Sequence, residues 1–338
     1  MARRQTAEPA DMARLVLGAA TSHTSMLLVD PRDLPRYREW DPGIPLLDTN
    51  GAPTTFAREA ERRGNSLAPL LTPERLAERL AEARAHIEHM ADEILGADLD
   101  ALIIVGDDQN ELYLPDNHPA LLVYHGETIA ALPYTATPGR ADWLVEASKR
   151  QYSAVARDYP VAHELARHLI GCLIDSDFDV SAARHLPQGK GESHSIAFIH
   201  TQLLRNRPVP IVPVFLNAYF PPNQPTPSRC YAIGQAIGRA VASLPGEARI
   251  GIVASGGLSH FLVDEELDGE VFRAIRARDA DALRALPREK LNSGSSEIRN
   301  WICVAGALEA LDVSWTGYVP GIRTEAGTGT GLGFALWR

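Results

Sequence analysis

Three short stretches place reactive side chains directly after apolar runs, and a fourth places one after a run of small polar residues. Leu15-Val16-Leu17-Gly18-Ala19-Ala20 leads into Thr21-Ser22-His23, and Leu102-Ile103-Ile104-Val105 leads into Gly106-Asp107-Asp108-Gln109-Asn110-Glu111. Ile250 to Ala254 runs into Ser255-Gly256-Gly257-Leu258-Ser259-His260, and the Ser/Gly-rich Asn292–Ser296 ends at Glu297. An apolar run that stops at small residues reads as a buried strand reaching the rim of a sheet, where open α/β sheets bind their ligands. His23, His260 and Glu297 together are two imidazoles and one carboxylate. On one face of a metal they would leave positions open for a chelating substrate and O₂, the arrangement of non-haem Fe(II) oxygenases. Histidines satisfied by backbone groups at turns are the alternative.

The elements that must carry these groups follow from the hydrophobic pattern. Thr72-Pro73 supplies an N-cap and first-turn proline, and Leu76, Leu80, Ala83, Ile87, Met90 and Ile94 continue at helical spacing. A second helix is expected within Ala154–Ile174, starting near Tyr159-Pro160, then helices over Ile196–Leu204, Tyr231–Leu244 and Ile298–Leu311. Strands are expected at Leu121–Tyr124 and Ile211–Leu216, with late, antiparallel edge strands at Val313–Tyr318 and Gly333–Trp337. Strands alternating with helices predict a three-layer α/β/α fold around a largely parallel or mixed sheet. There is no internal repeat or linker, so residues 1–338 are expected to form one catalytic domain, with 1–12 a frayed tail. Asp30–Leu71 and Asn217–Pro227 lack periodicity and hold Trp40, Tyr219 and Phe220. Segments of that kind are candidates for a lid and for substrate selection.

Composition narrows the partners. A net charge of −10 with no basic stripe argues against nucleic acid, and no apolar run is long enough to span a membrane. The three cysteines form no CxxC pair and read as reduced thiols of a cytoplasmic protein. His86 and His89 share a helix face, but their neighbours describe an ordinary solvated surface.

Taken in order, Thr21-Ser22-His23, Gly106-Asp107-Asp108-Gln109, Ser193-His194, Ser255–His260 and Glu297-Ile298-Arg299-Asn300-Trp301 resemble the class III extradiol ring-cleavage dioxygenases, relatives of the protocatechuate 4,5-dioxygenase catalytic subunit. The resemblance implies that His23 and Glu297 bind Fe(II). It makes His260 the acid–base group rather than a ligand, and puts His194 in the substrate shell. The family usually has Asp-His where this chain has Asp108-Gln109, a form resembling the 3-O-methylgallate dioxygenase branch. A neutral amide oxygen is a poorer Fe(II) ligand than imidazole. Either the third metal position falls to Gln109, to Asp108, or to His118 or His125 downstream, or the metal is held weakly.

Arg299 could clamp a substrate carboxylate or form a surface salt bridge, and Asn300 and Trp40 are further substrate candidates. The implied partners are a catechol-type aromatic acid, O₂ and further copies of the chain. A metal-dependent hydrolase and a non-catalytic binding module on the same fold are the competing expectations.

Overall fold

The computed structural model describes residues 12–136 and 138–338. Most of the expected tail therefore lies outside the described residues, although Met12 bridges to Pro245. The centre is an eight-stranded sheet. In chain order its strands are β1 (Arg14–Thr21), β2 (Ala101–Gly106), β3 (Leu121–Tyr124), β4 (Ser181–Ala183), β5 (Ile211–Leu216), β6 (Arg249–Ser255), β7 (Val313–Ile322) and β8 (Gly329–Trp337). In space they run β7-β8-β1-β6-β2-β5-β3-β4. The pairs β1–β6, β6–β2, β2–β5 and β3–β4 are parallel, while β7–β8, β8–β1 and β5–β3 are antiparallel. The sheet is mixed. The late strands are antiparallel as expected, but β8 is interior, because it closes on β1 and leaves only β7 at the edge.

Alternation along the strands explains the layers. Ile103, Val105, Val212, Val214, Ile252 and Ala254 face one core, while Leu102, Ile104, Phe215 and Val253 face the other. Successive side chains of a strand point to opposite faces, so strands apolar at every position need cover on both. One face is covered by α3 (His163–Asp175), α4 (Pro227–Ala242), α5 (Glu265–Ala277) and α6 (Ile298–Ala307), the other by α1 (Pro73–Leu95) and α2 (Asp142–Gln151). Two corrections follow. Arg157–Pro160 is a strand paired with Thr128–Ala131, so α3 begins only at His163. Helix α2 has no counterpart in the sequence reading.

The order of strands positions the chemistry. β1, β6 and β2 are parallel neighbours in register, with Thr21 opposite Ser255 and Ala254 opposite Val105. Their carboxyl ends, carrying His23, His260 and Asp107–Gln109, therefore open onto one crevice. The irregular Asp30–Leu71 segment folds over that end in short helical turns. It is tied down by Asp41, which accepts from Arg323 at 2.8 and 2.9 Å, both side chains being buried.

Candidate active site and metal centre

Small residues at the strand ends let the reactive groups approach one another. Ser255 donates its hydroxyl to the Ser195 carbonyl at 2.7 Å and lies 3.0 Å from His23 Nδ1. With that proton committed, the serine oxygen accepts from Nδ1–H, and His23 Nε2 presents its lone pair to the site. His260 is set the same way, its Nδ1 donating to the Leu258 carbonyl at 2.8 Å and leaving Nε2 free. Glu297, at the start of α6, lies between the rings: Oε2 is 3.3 Å from His23 Nε2, and Oε1 is 3.4 Å from His260 Nε2. The Gly257 N–H donates to Oε2 at 2.6 Å. No side chain larger than glycine fits at 294, since a Cβ there would overlap the His260 ring.

Asp107 and His194 complete the cluster. Ligand atoms of His23, Asp107, His194 and Glu297 all lie within 4.8 Å of one another. His194 Nδ1 lies 2.6 Å from Glu111 Oε2, and its Nε2 is buried without a partner. Burial works against the His194 charge, but Glu111 overrides it and raises the imidazole to about 10. Glu111 is itself held down at about 2, where burial would raise it and the His194 charge prevails. Asp107 is pushed up to about 6 by burial and by the charge of Glu297. Glu297 is fully buried, yet stays well below the usual carboxylate range because His23 and His260 flank it. His260 is raised, its burial outweighed by Glu297. Two imidazole nitrogens and two carboxylates close together are a hard-to-borderline donor set suited to a divalent metal cation.

His23, His194 and Glu297 of the cluster line a cavity of about 530 Å³ whose walls include Trp40, Tyr134, Arg140, Tyr152, Tyr219 and Arg323. Its residues include His23, Gln109, His194, His260, Glu297 and Trp40 from the sequence reading. Several expectations change. Gln109 turns its amide nitrogen to Glu297 Oε1 at 3.1 Å and Asp107 Oδ2 at 3.3 Å, so it braces the carboxylates with N–H donors. Asp108 points away and accepts the N–H groups of Leu112 and Tyr113. His118 packs on Phe220 beside the Tyr113 carbonyl, and neither it nor His125 lines the cavity. Arg299 is neither clamp nor surface bridge. It is 1% exposed, and its guanidinium donates to the Pro225, Ala218 and Leu291 carbonyls. Asn300 lies beneath the cavity floor, donating to the Ser255 carbonyl at 3.0 Å. Asp107 carries a local signal, since it directly follows Gly106 at a strand end, but nothing in the sequence separates it from Asp108 as a donor. Glu111 had no local signal, because it meets His194 83 positions away.

Residues 80–321 match the family described as the catalytic LigB subunit of aromatic ring-opening dioxygenase. The chain belongs to this family. The LigB match takes in Asp107, Gln109, His194, His260 and Glu297, and His23 precedes it. Relatives include a 2,3-dihydroxyphenylpropionate/2,3-dihydroxicinnamic acid 1,2-dioxygenase of Comamonas testosteroni, 34% identical over 109 residues, which are 32% of this chain and 33% of that protein. A gallate dioxygenase of Pseudomonas putida is 36% identical over 157 residues, 43% of this chain and 45% of its own length. A third, the enzyme of Burkholderia vietnamiensis that shares the first one's name, is 29% identical over 156 residues, 46% of this chain and 45% of that protein. These matches span less than half of each relative's length.

Proposed function

We propose that this protein is a non-haem Fe(II) extradiol dioxygenase, a single catalytic domain that opens the ring of a catechol-type aromatic acid, such as gallate, a methylgallate or protocatechuate, with O₂. The carrying observation is the convergence of His23, Asp107, His194 and Glu297 within 4.8 Å beneath a cavity wide enough for an aromatic ring, with His260 Nε2 alongside. His23, Asp107, His194 and Glu297 would hold the cation. Fe(II) held there would supply activation of the substrate hydroxyls and electron transfer to O₂.

The chain's own residues supply the rest. His260 has committed Nδ1–H to the Leu258 carbonyl, so Nε2 can take a proton from a substrate hydroxyl and return it later in turnover. The Glu297 carboxylate stabilises the imidazolium formed in between. Gln109 keeps Glu297 and Asp107 oriented through its two N–H donors. His194 would hold the cation through Nε2 only after that nitrogen has lost its proton, so metal loading should weaken as the pH falls. Tyr134, Tyr152, Tyr219 and Trp40 wall the ring from water. The reading extends to a cytoplasmic location and to assembly with further copies of the chain.

The test is oxygen uptake by anaerobically purified protein reconstituted with Fe(II) and offered gallate, 3-O-methylgallate and protocatechuate. Stoichiometric O₂ consumption with a yellow ring-opened product is expected. Substrate turnover without oxygen uptake would point to a hydrolase, and no turnover of any catechol would leave the binding module.

A further inference from the structure

Two arginines line the cavity in opposite circumstances. Arg323 is matched: it donates to both oxygens of Asp41 and its guanidinium lies 3.7 Å over the Tyr37 ring. Arg140, two residues before α2, has no carboxylate paired to it among the described residues, and its buried Nε has no hydrogen-bond partner. Tyr37 lines the same cavity with its side chain 2% exposed, and its hydroxyl, beside the Ser25 side chain, makes no well-formed hydrogen bond. Burial pushes the Tyr37 phenol up, opposed first by the Arg323 charge and least by that of Arg140.

Leaving a buried donor unmet is costly, so the Arg140 Nε–H favours an acceptor brought from outside. The chain's own acids in the cavity are already engaged. Glu111 accepts from His194 and Tyr152, and Glu297 from Gly257 and Gln109 between two histidines. An arginine presents a planar fork that matches a carboxylate.

We propose that Arg140, assisted by Tyr37, is the seat for a carboxylate carried by the aromatic substrate, and is thereby a residue that determines specificity. This rests on the reading of the cavity as the substrate site, and it adds which side chain distinguishes an aromatic acid from a neutral catechol. Arg323, already neutralised by Asp41, shapes the wall by stacking on Tyr37.

Binding of non-oxidisable analogues tests the assignment without turnover. 3-Phenylpropionate and benzoate are compared with 3-phenylpropanol and benzyl alcohol on the full-length chain, by ligand-observed NMR titration. Arg140→Met should weaken the two carboxylates by about 10- to 100-fold and leave the two alcohols within about twofold. Arg140→Lys should retain part of the preference, and Tyr37→Phe should show a smaller, carboxylate-selective loss. Equal weakening of acids and alcohols, unchanged acid binding in Arg140→Met, or a wild-type protein that does not prefer acids overturns the proposal. Failure of the dioxygenase reading would register separately, as absent oxygen uptake in a protein that still prefers the acids.

Discussion

Because the Leu258 carbonyl takes one proton of His260 and Ser255 takes one of His23, the two rings present the same atom to the site for different work. His23 Nε2 lies among the other ligand atoms, whereas His260 is reached only through Glu297. His260→Ala should therefore keep its metal and lose about 10²- to 10⁴-fold in turnover, the usual worth of a positioned acid–base group. His23→Ala should lose the metal itself. Metal analysis of the two purified variants beside their oxygen uptake checks this pair, and an empty site in His260→Ala with a full one in His23→Ala would reverse the roles.

At the scale of elements, close approach sets the tolerances. Helices α4 and α6 touch through Gly234, where a Cβ would overlap the Cys303 carbonyl, and through Gly306, where it would overlap that of Tyr231. Gly234→Ala must force backbone apart and should cost about 1–3 kcal/mol, seen as a lowered melting temperature. An unchanged melting curve would mean that the two helices are free to separate.

The loop carrying His260 is pinned by Asp268 of α5. Asp268 accepts from the Ser259 N–H and hydroxyl, both at 2.8 Å, and from Tyr318 of β7 at 2.7 Å. Burial pushes that carboxyl up to about 7. A carboxyl that holds its proton more tightly folded than unfolded contributes stability that is complete below its ordinary value, 3.8, and is lost as the pH rises through about 7. The melting temperature of Asp268→Asn, compared with wild type between pH 4 and 8, should shift steadily in the variant's favour as the pH rises. Parallel curves would show that the three donors keep Asp268 ionised throughout.

For the whole molecule, the candidate centre joins segments that are remote in the chain: the ends of β1 and β2, the residue that opens the His194–Phe198 turn, and the start of α6. A ligand bound only by the folded state stabilises it by mass action, by about 2.7 kcal/mol at a hundredfold excess over Kd. Anaerobic melting should accordingly rise with added Fe(II) or Mn(II) and fall with a chelator. The increment should vanish in His23→Ala and Glu297→Gln. A melting temperature indifferent to metal in the wild type would count against a cation shared by these four segments.

What the amino-acid sequence determined by itself is local. Apolar runs halting at small residues marked the ends of β1, β2 and β6, and helical spacing marked α1, because both patterns depend on neighbours a few positions away. The layered α/β/α arrangement follows, since strands apolar on both faces require two covers. The tertiary structure decided how polar side chains are spent. Arg299 satisfies backbone carbonyls, Gln109 donates to two acids, Asp107 turns inward where Asp108 turns out, and Glu111 finds His194 across the crevice. Each outcome depends on donors and acceptors brought in by distant segments. Those segments meet only because β6 inserts between β1 and β2, an ordering of the sheet that no local pattern encodes.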